Sequence, residues 1–310
     1  MGRIWTRQQL KLMGWSDARI ARETGAGIRR LAHGVYGPNI DAPAWELYRE
    51  RVLAAATTCG AVVSHQSAAA LHGIPVLHPD RSLVHFTVDR MSGGGRRRGL
   101  HIHPRPLPAD QVTVVDGVRV TTRCRTAIDV AMSGDVDRGV CAIDAVRLIR
   151  RYPSPIDPPP VELADLTQCL ALLSGRTGAF VARRAVELSV DRSESAGESW
   201  SRMQILAAGL PMPRLQVPRT IEGETYVADF DWGPMTGEFD GRGKYGADPA
   251  EVDSALADEK RRHAAFAASG VEVVRWQWRE LTAPNRLRDI LTPRTGAERP
   301  PRRRVSYPLR

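Results

Sequence analysis

The most constraining feature of this sequence is a pair of acidic strands joined by a turn, from Tyr226 to Tyr245, Y-V-A-D-F-D-W-G-P-M-T-G-E-F-D-G-R-G-K-Y. Apolar and acidic residues alternate in it twice, and a Gly-Pro turn signal separates the two runs, which is the pattern of a β-hairpin. Side chains on a strand repeat every two residues, so Asp229 and Asp231 share one face. Glu238 and Asp240 share one face of the partner strand by the same rule.

Four carboxylates on paired strands repel one another and lower stability unless positive charge lies among them. A hard divalent cation provides such charge, because it takes oxygen ligands and usually keeps water in its shell. Lys244, just past the second strand, is a further source of positive charge. We interpret this cluster as a metal-dependent site that acts on phosphate. The alternative is an ordinary polar hairpin.

The charge of the chain is unevenly distributed. Its 310 residues include 44 Lys and Arg against 35 Asp and Glu, a formal net charge of +9, and both ends of the chain, residues 1–37 and 294–310, are basic. Basic ends around a more neutral middle indicate a polyanionic partner, and double-stranded DNA fits this pattern better than a membrane. The length is sufficient for two or three compact domains.

Cysteine use and hydropathy indicate the compartment. The four cysteines are scattered without a C-x-x-C pair, which favours reduced, mostly buried thiols over disulfides or a zinc site. The N-terminus lacks the apolar core of a signal peptide, and no run approaches the ~18 apolar residues of a membrane span. We therefore expect a cytoplasmic protein. The cysteines are Cys59, Cys124, Cys141 and Cys169.

The first forty residues carry the signals of a small helix-turn-helix domain with a wing. Thr6 and Gln9 form a T-x-x-Q capping box that begins one helix. Ser16 is the predicted N-cap of a second helix. Residues 28–37 then predict a tight hairpin with Gly34 at its bend.

Four arginines lie on the two elements that such folds present to DNA. Arg19 and Arg22 are three residues apart on the second predicted helix and therefore share a face. Arg29 and Arg30 lie at the base of the wing. Their clustering predicts contacts with phosphates and a DNA groove. The alternative is that they only solvate a small domain.

This segment resembles the N-terminal winged-helix domain of the AbiEi antitoxin family of bacterial type IV toxin–antitoxin systems. The resemblance is short and rests on residues 6–10, Gly14 and residues 29–36. The segments S-H-Q-S-A-A-A-L-H-G at 64–73 and V-T-T-R-C-R-T-A-I-D-V-A at 120–131 are similar to the domain that follows the winged helix in that family. The resemblance implies binding to the promoter of the protein's own operon and a cognate nucleotidyltransferase-like toxin as partner. A homodimer is compatible with a repressor of this kind.

Two histidines in the middle segment raise the question of a metal site. His101 and His103 alternate on a predicted strand, residues 100–103, and so share one face. The sequence places no cysteine or acidic residue nearby as a third ligand, which disfavours a zinc site. The glycine- and arginine-rich loop at residues 93–98 either contacts a phosphate backbone or is a solvated hairpin tip.

The C-terminal third resembles the PD-(D/E)xK nuclease superfamily, and more closely its very-short-patch-repair (Vsr)-like endonuclease branch. The predicted elements follow the order αβββαβ, with one further helix at the end. The resemblance covers residues 193–291 and rests on Glu198-Ser199 and on residues 228–232, 238–241, 259–262 and 273–276.

The nuclease resemblance implies roles for five residues. Asp229 matches the metal-binding aspartate of the superfamily, and Glu238 matches the acid of its E-x-K element. Asp240, a third candidate metal ligand, stands where a lysine is usual, and Lys244 replaces that lysine from a later position. Glu198 matches a helix glutamate that supports the metal, Mg²⁺ or Mn²⁺. The departure at Asp240 leaves two hypotheses: a metal-dependent DNA endonuclease, or an AbiEi-like antitoxin and repressor whose nuclease fold is catalytically degenerate.

The predicted architecture is a mixed α+β protein of several domains. A proline-rich connector at residues 152–160 is the clearest boundary. The predicted segments are a winged helix-turn-helix at 1–40, an AbiEi-like α/β domain at 41–150, a linker with bridging helices at 151–192, a restriction-endonuclease-like αβββαβ domain at 193–292 and a basic disordered tail at 293–310.

Overall fold

A computed structural model of the chain describes residues 4–221, 223–241, 266 and 268–296. The chain forms two compact units. The first contains residues 1–146 and 159–189, and the second contains residues 147–158 and 190–310. Both units combine helices with a sheet, as the predicted mixed α+β class requires.

The first unit begins with two short helices and a small sheet. Thr6 caps the first helix through both bonds of the predicted capping box with Gln9. Leu10, Ile20 and Ile28 pack together beneath these elements. The sheet has the strand order β1-β3-β2. The elements are β1 (Trp5–Thr6), α1 (Arg7–Leu12), α2 (Asp17–Glu23), β2 (Ile28–Ala32) and β3 (Val35–Pro38).

The rest of the first unit is a six-stranded mixed sheet with helices around it, in the strand order β6-β7-β5-β4-β9-β8. Its elements are α3 (Ala44–Ala56), β4 (Val62–Val63), α4 (His65–His72), β5 (Val84–Val88), β6 (Gly95–Arg97), β7 (Leu100–Pro104), a 3-10 turn (Ala109–Gln111), β8 (Val112–Val115), β9 (Val118–Thr121), α5 (Arg123–Met132), α6 (Val136–Arg147), α7 (Leu163–Ala171) and α8 (Ala179–Leu188).

The core of this sheet is apolar, and the turn between β8 and β9 has the geometry that its sequence predicts. Val63, Phe86 and Val120, on three adjacent strands, are fully buried. Asp116 and Gly117 join β8 to β9 with φ of 50° and 77°. Two consecutive positive φ values are the geometry of the tight hairpin turn that this dipeptide predicts.

Helices α7 and α8 fall in the segment that the sequence assigns to a linker with bridging helices. In the structure they belong to the first unit and pack against α5. The amphipathic pattern of these helices predicts an apolar face, but it does not indicate which element that face covers. The proline-rich residues 147–158 belong instead to the second unit.

The second unit is built on a four-stranded sheet in the order β10-β11-β12-β13. The last pair is parallel and the others are antiparallel. Phe230 and Trp276 on the sheet pack with Ile205 of the preceding helix. The elements are α9 (Ala196–Ala207), β10 (Arg214–Ile221), β11 (Glu224–Asp231), β12 (Met235–Phe239), β13 (Glu272–Trp276), α10 (Trp278–Thr282) and α11 (Arg286–Thr295).

Some C-terminal predictions differ from the structure or lie beyond it. The helix predicted from Asp248 to Ala268 and the role of Lys244 fall almost entirely outside the described residues. Helix α11 continues to Thr295, past the predicted start of the tail at residue 293. Residues 297–310 are outside the described part of the chain.

The four cysteines are all free thiols, two of them buried and two half-buried. Among the described residues, no helix has both the length and the hydropathy that crossing a bilayer requires.

Candidate functional site

Polar side chains form one row across the sheet of the second unit. The side chain of Gln216 on β10 bonds Asp229 on β11. Asp229 and Glu238 each lie one residue beyond the last register pair of β11 and β12, which is Phe230 with Gly237. The parallel register then pairs Glu238 with Arg275. Residues directly opposite one another point to the same face of a sheet. The two acids that the sequence predicts as principal metal ligands thus lie on neighbouring strands, and the N–H of Phe239, the residue after Glu238, donates to Asp229.

Gln216 organises this row from the edge strand. Its side-chain Nε2 donates to Oδ1 of Asp229 at 3.2 Å and to Oε2 of Glu198 at 3.0 Å. Gln216 has a φ of 53°, a left-handed conformation that costs energy for a residue with a Cβ. Asp229 is held further by the backbone N–H of Phe239, which donates to its Oδ2 at 3.0 Å. One amide thus fixes two carboxylates beside each other.

Glu198 reaches the row from the first turn of α9. Its own N–H donates to the Ser195 hydroxyl at 3.2 Å, and that hydroxyl donates to Oε1 of Glu198 at 2.8 Å. Helix α9 packs so closely on β12 that a Cβ added to Gly197 would lie 1.9 Å from the ring of Phe239. Burial raises the pKa of the Glu198 carboxyl to about 7, and the negative charge of Asp229 adds to the shift. The site therefore gathers negative charge that burial disfavours.

The other acids of the predicted cluster have cationic or amide partners. Oε2 of Glu238 accepts from Nε of Arg275 at 2.9 Å. Oδ2 of Asp240 accepts from the Gln277 side chain at 3.2 Å. Burial alone would raise the pKa of Asp231, but hydrogen bonds from two arginines outweigh it and hold that pKa below its usual value.

The two arginines beside Asp231 are Arg214, at 3.0 Å, and Arg219, at 2.6 Å. Asp231 is almost fully buried, so this double ion pair neutralises it within the sheet. Asp231 is consequently a structural member of the acidic hairpin and not a free metal ligand.

The predicted acidic quartet is therefore only partly assembled. Asp229 and Glu198 share the Gln216 side chain as a donor, whereas Glu238 accepts from Arg275 and Asp240 from Gln277. Lys244 lies outside the described residues. In the described part of the chain, three side chains bring potential metal-ligand atoms within 4.8 Å of one another. All three are histidines of the first unit, and none is an acid of this row. The carboxylates would have to move inward to share one ion.

A polar pocket adjoins the acidic row at Gln216. It has a volume of about 250 Å³, and its charged lining residues are three arginines and two acids, Arg150, Arg151, Arg192, Asp191 and Glu194. Arg151 donates to the side-chain oxygen of Gln216 at 3.3 Å. The Gln216 amide that holds the two carboxylates therefore also lines this pocket.

Sequence reasoning missed Gln216, Arg275 and the arginines of this pocket. Arg275 lies in the predicted strand V-E-V-V-R-W, but nothing in the sequence indicates that it faces Glu238. One sequence signal could have indicated Gln216: it is a polar residue between two apolar ones in a predicted strand, L-Q-V at 215–217. Only the register of the sheet shows what such a residue faces.

The four arginines predicted to bind DNA differ in their surroundings. Arg22 and Arg30 are exposed, and Arg22 makes only a surface contact with Glu23 at 3.4 Å. Arg19 is exposed as well, and its guanidinium lies 4.2 Å from the ring centroid of Trp15. These three side chains are accessible to a polyanion.

Arg29 instead links the hairpin to α3. Its guanidinium pairs with Glu50, and its Nε donates to the carbonyl of Pro38 at 3.2 Å. The two side chains of the ion pair are only 20% and 12% exposed. Arg29 also lines a pocket with Arg30, Arg51 and Arg81.

We expect Arg29→Ala to lower the free energy of unfolding by about 2 kcal/mol, because it leaves Glu50 half-buried without its cation. Arg30→Ala, the neighbouring exposed arginine, is the matched control and should change it by less than about 0.5 kcal/mol. Urea unfolding followed by circular dichroism measures both. Equal effects of the two substitutions would contradict the structural role of Arg29.

The middle of the first unit matches a known family. Residues 58–149 match the model of the AbiEi antitoxin C-terminal domain. This segment runs from the strand β4 through α6, and it contains both motifs on which the sequence resemblance to that domain rests. The finding supports an AbiEi-type antitoxin.

Two uncharacterized proteins of Mycobacterium tuberculosis are similar to the chain, MT2308 of strain CDC 1551 / Oshkosh and Rv2248 of strain ATCC 25618 / H37Rv. Each is 29% identical over 237 residues, which are 74% of this chain and 76% of the relative. The crystal structure of the RV2827C protein from the same species is 15% identical and covers 64% of this chain and 74% of that one, with a TM-score of 0.36. A score at this level does not establish a common fold.

Proposed function

We propose that the protein is an AbiEi-type antitoxin that binds double-stranded DNA and represses its own toxin–antitoxin operon, with a nucleotidyltransferase-like toxin as its partner. The observation that carries this proposal is the match of residues 58–149 to the AbiEi antitoxin C-terminal domain. In the proposal the N-terminal elements read DNA and the matched domain belongs to the antitoxin machinery.

The N-terminal elements support the DNA-binding part of the proposal. Two short capped helices are followed by a hairpin whose strand β3 pairs on both sides, and this order of elements supports the proposed winged helix-turn-helix. In such domains the second helix enters the major groove and the wing contacts the backbone. Arg19 and Arg22 lie on that second helix and Arg30 on the wing, all three exposed.

The experiment that tests this function uses the purified full chain and DNA from upstream of its own gene. A gel shift should show that the protein binds this DNA. An unlabelled scrambled fragment of equal length should be a poor competitor for that binding. Co-expression with the toxin of the same operon should relieve the growth arrest that the toxin causes. Equal affinity for both fragments together with unrelieved arrest would refute the proposal.

A second candidate function is a Mg²⁺- or Mn²⁺-dependent DNA endonuclease. The observation that favours it is that Asp229 and Glu198 share one hydrogen-bond donor, Gln216, while Glu238 lies on the strand next to that of Asp229. A divalent ion at such a site would activate water and neutralise charge on a phosphate. Arg275 and the pocket arginines would hold that phosphate.

The side chains fit such an ion only in part. Burial first, and the nearby charge of Asp229 second, raise the pKa of Glu198, so a bound cation would favour its ionised form. Glu238, however, already pairs with Arg275, and Asp240 with Gln277. Binding an ion would require Glu238 to exchange its arginine for the metal, which is why we rank this function second.

If the protein is a nuclease, we expect it to nick supercoiled plasmid in the presence of Mg²⁺ or Mn²⁺. Asp229→Ala and Glu238→Ala should each lose nicking entirely, since both remove a metal ligand. Asp240→Asn, the residue turned towards Gln277, should retain most of it. No nicking with either metal would leave the antitoxin function alone.

A further inference from the structure

Four histidines of the first unit come together on one side of its sheet. The parallel pairing of β5 with β7 sets His85 beside His101. His103 follows two residues later on the same strand, and its Nε2 lies 3.0 Å from Nδ1 of His85. His65, the first residue of α4, stacks on His103 with ring centroids 3.7 Å apart. Ring centroids of His101 and His103 are 3.9 Å apart.

Three of these rings already have the spacing of a metal site. His85, His101 and His103 each offer one ligand atom, and those atoms all lie within 4.8 Å of one another. Imidazole nitrogens bound tetrahedrally to zinc at about 2.0–2.1 Å lie about 3.3 Å apart. The pair at 3.0 Å is therefore already in place, and a small inward movement of His101 completes the triangle. His101 is only half-buried, so it has room for that movement.

The cluster is also incompletely satisfied. Within the described part of the chain, buried Nε2 of His65 and Nδ1 of His101 have no hydrogen-bond partner. A buried polar atom without a partner costs about 1–3 kcal/mol and calls for an explanation. Burial and, after it, neighbouring positive charges lower the pKa of all four imidazoles, that of His85 to about 4. The rings are thus neutral at physiological pH, which is the form that binds metals.

We propose that His85, His101 and His103 bind one zinc-type divalent transition metal ion, with water in the fourth position. Imidazole ligands suit zinc, copper and nickel and not magnesium, so this site is chemically distinct from the carboxylate row of the second unit. No cysteine contributes. The sequence argued against zinc at His101 and His103 for want of a third ligand, and the structure supplies it as a histidine from a neighbouring strand.

Surrounding groups support the ligands, as second-layer contacts do in metal sites. The side chain of Gln66 lies 3.3 Å from Nε2 of His85, and its oxygen accepts from Arg138 at 2.7 Å. His65 lies 3.9 Å from Asp129, a fully buried carboxylate paired with Arg125. Nδ1 of the His65 ring lies 2.9 Å from the hydroxyl of Ser64. His65 is a positioning residue, because it stacks on a ligand without offering an atom to the ion.

The test is metal binding by the full chain after treatment with a chelator, which does not depend on DNA or toxin binding. Isothermal titration should show one Zn²⁺ per chain, and Co²⁺ should give visible d–d absorption as a spectroscopic substitute for zinc. His103→Gln and His101→Gln should each weaken Zn²⁺ binding by about 100-fold or more. His33→Gln, a histidine of the first hairpin, should leave it unchanged.

Circular dichroism establishes that each variant is folded. If His103→Gln does not fold, the half-buried His101→Gln decides the question. The proposal is overturned if the wild type binds no Zn²⁺, if both cluster variants bind it as tightly as the wild type, or if His33→Gln loses it equally. The first of these results would define the cluster as a neutral, stacked core element.

Discussion

Reversing the charge of two exposed arginines, Arg22→Glu with Arg30→Glu, is expected to weaken binding of the full chain to double-stranded DNA by about 100-fold at physiological salt. Each arginine that neutralises a phosphate releases a counterion, so each contributes about 0.9 to the slope of log affinity against log salt. The double substitution should therefore lower that slope by about 2. Adding Arg19→Glu should lower it by about one more.

The control for this prediction is a pair of exposed arginines on α8, Arg183→Glu with Arg184→Glu, which changes the net charge equally. Arg184 has only a surface ion pair with Glu187, whose loss costs little. Arg29 stays unchanged in all variants, because its pairing with Glu50 holds the hairpin. Fluorescence anisotropy over a salt series measures affinity and slope. If both double variants lose the same DNA affinity, net charge and not a winged-helix contact governs binding.

The local elements of this fold are readable from the sequence. The acidic hairpin, the capping box of α1 and the Asp116-Gly117 turn all appear where alternation, capping and turn chemistry place them. The strands β1 and β6, of two and three residues, are too short to leave a periodic signal. The alternation of V-E-V-V-R-W-Q-W predicts a strand over residues 271–278, but β13 ends at Trp276 and Trp278 begins α10.

The sites are less readable, because their chemistry depends on contacts between distant segments. Alternation alone places Asp229 and Glu238 on facing strands, but not Gln216, which reaches two carboxylates only through its left-handed backbone. The sequence likewise puts His101 and His103 on one face. That His85 completes their group follows from parallel pairing of β5 with β7, and no local pattern specifies which strands become neighbours in a sheet.

Glu198→Gln is expected to stabilise the metal-free protein at pH 8 by on the order of 3 kcal/mol relative to the wild type. The carboxyl of Glu198 has a pKa of about 7 in the folded chain, raised from 4.5 first by burial and then by Asp229. Between these values the unfolded chain releases a proton that the folded chain keeps, so stability is lost as pH rises from about 4.5 through 7. The glutamine keeps the shape of the neutral acid and does not ionise.

The measurement is a series of urea titrations in chelator at pH 4.5, 6 and 8, followed by tryptophan fluorescence. At pH 4.5 the wild type and Glu198→Gln should agree within about 0.5 kcal/mol, and the gap should open as pH rises. Asp231→Asn is the matched control, because it removes the same charge from another buried acid of the same unit. Asp231→Asn should instead lower the free energy of unfolding by about 1–3 kcal/mol, because Arg214 and Arg219 lose their partner.

A buried acid that destabilises the fold when ionised is retained where a bound ligand needs its negative charge. If Glu198 and Asp229 hold a divalent ion, millimolar Mg²⁺ or Mn²⁺ should restore much of the stability that the wild type loses at pH 8, because an ion that binds only the folded state stabilises it. The same ions should have little effect on Glu198→Gln. Stability of the wild type that is unchanged by either metal would remove the endonuclease candidate, while a Glu198→Gln variant less stable at every pH would show that Glu198 serves the fold alone.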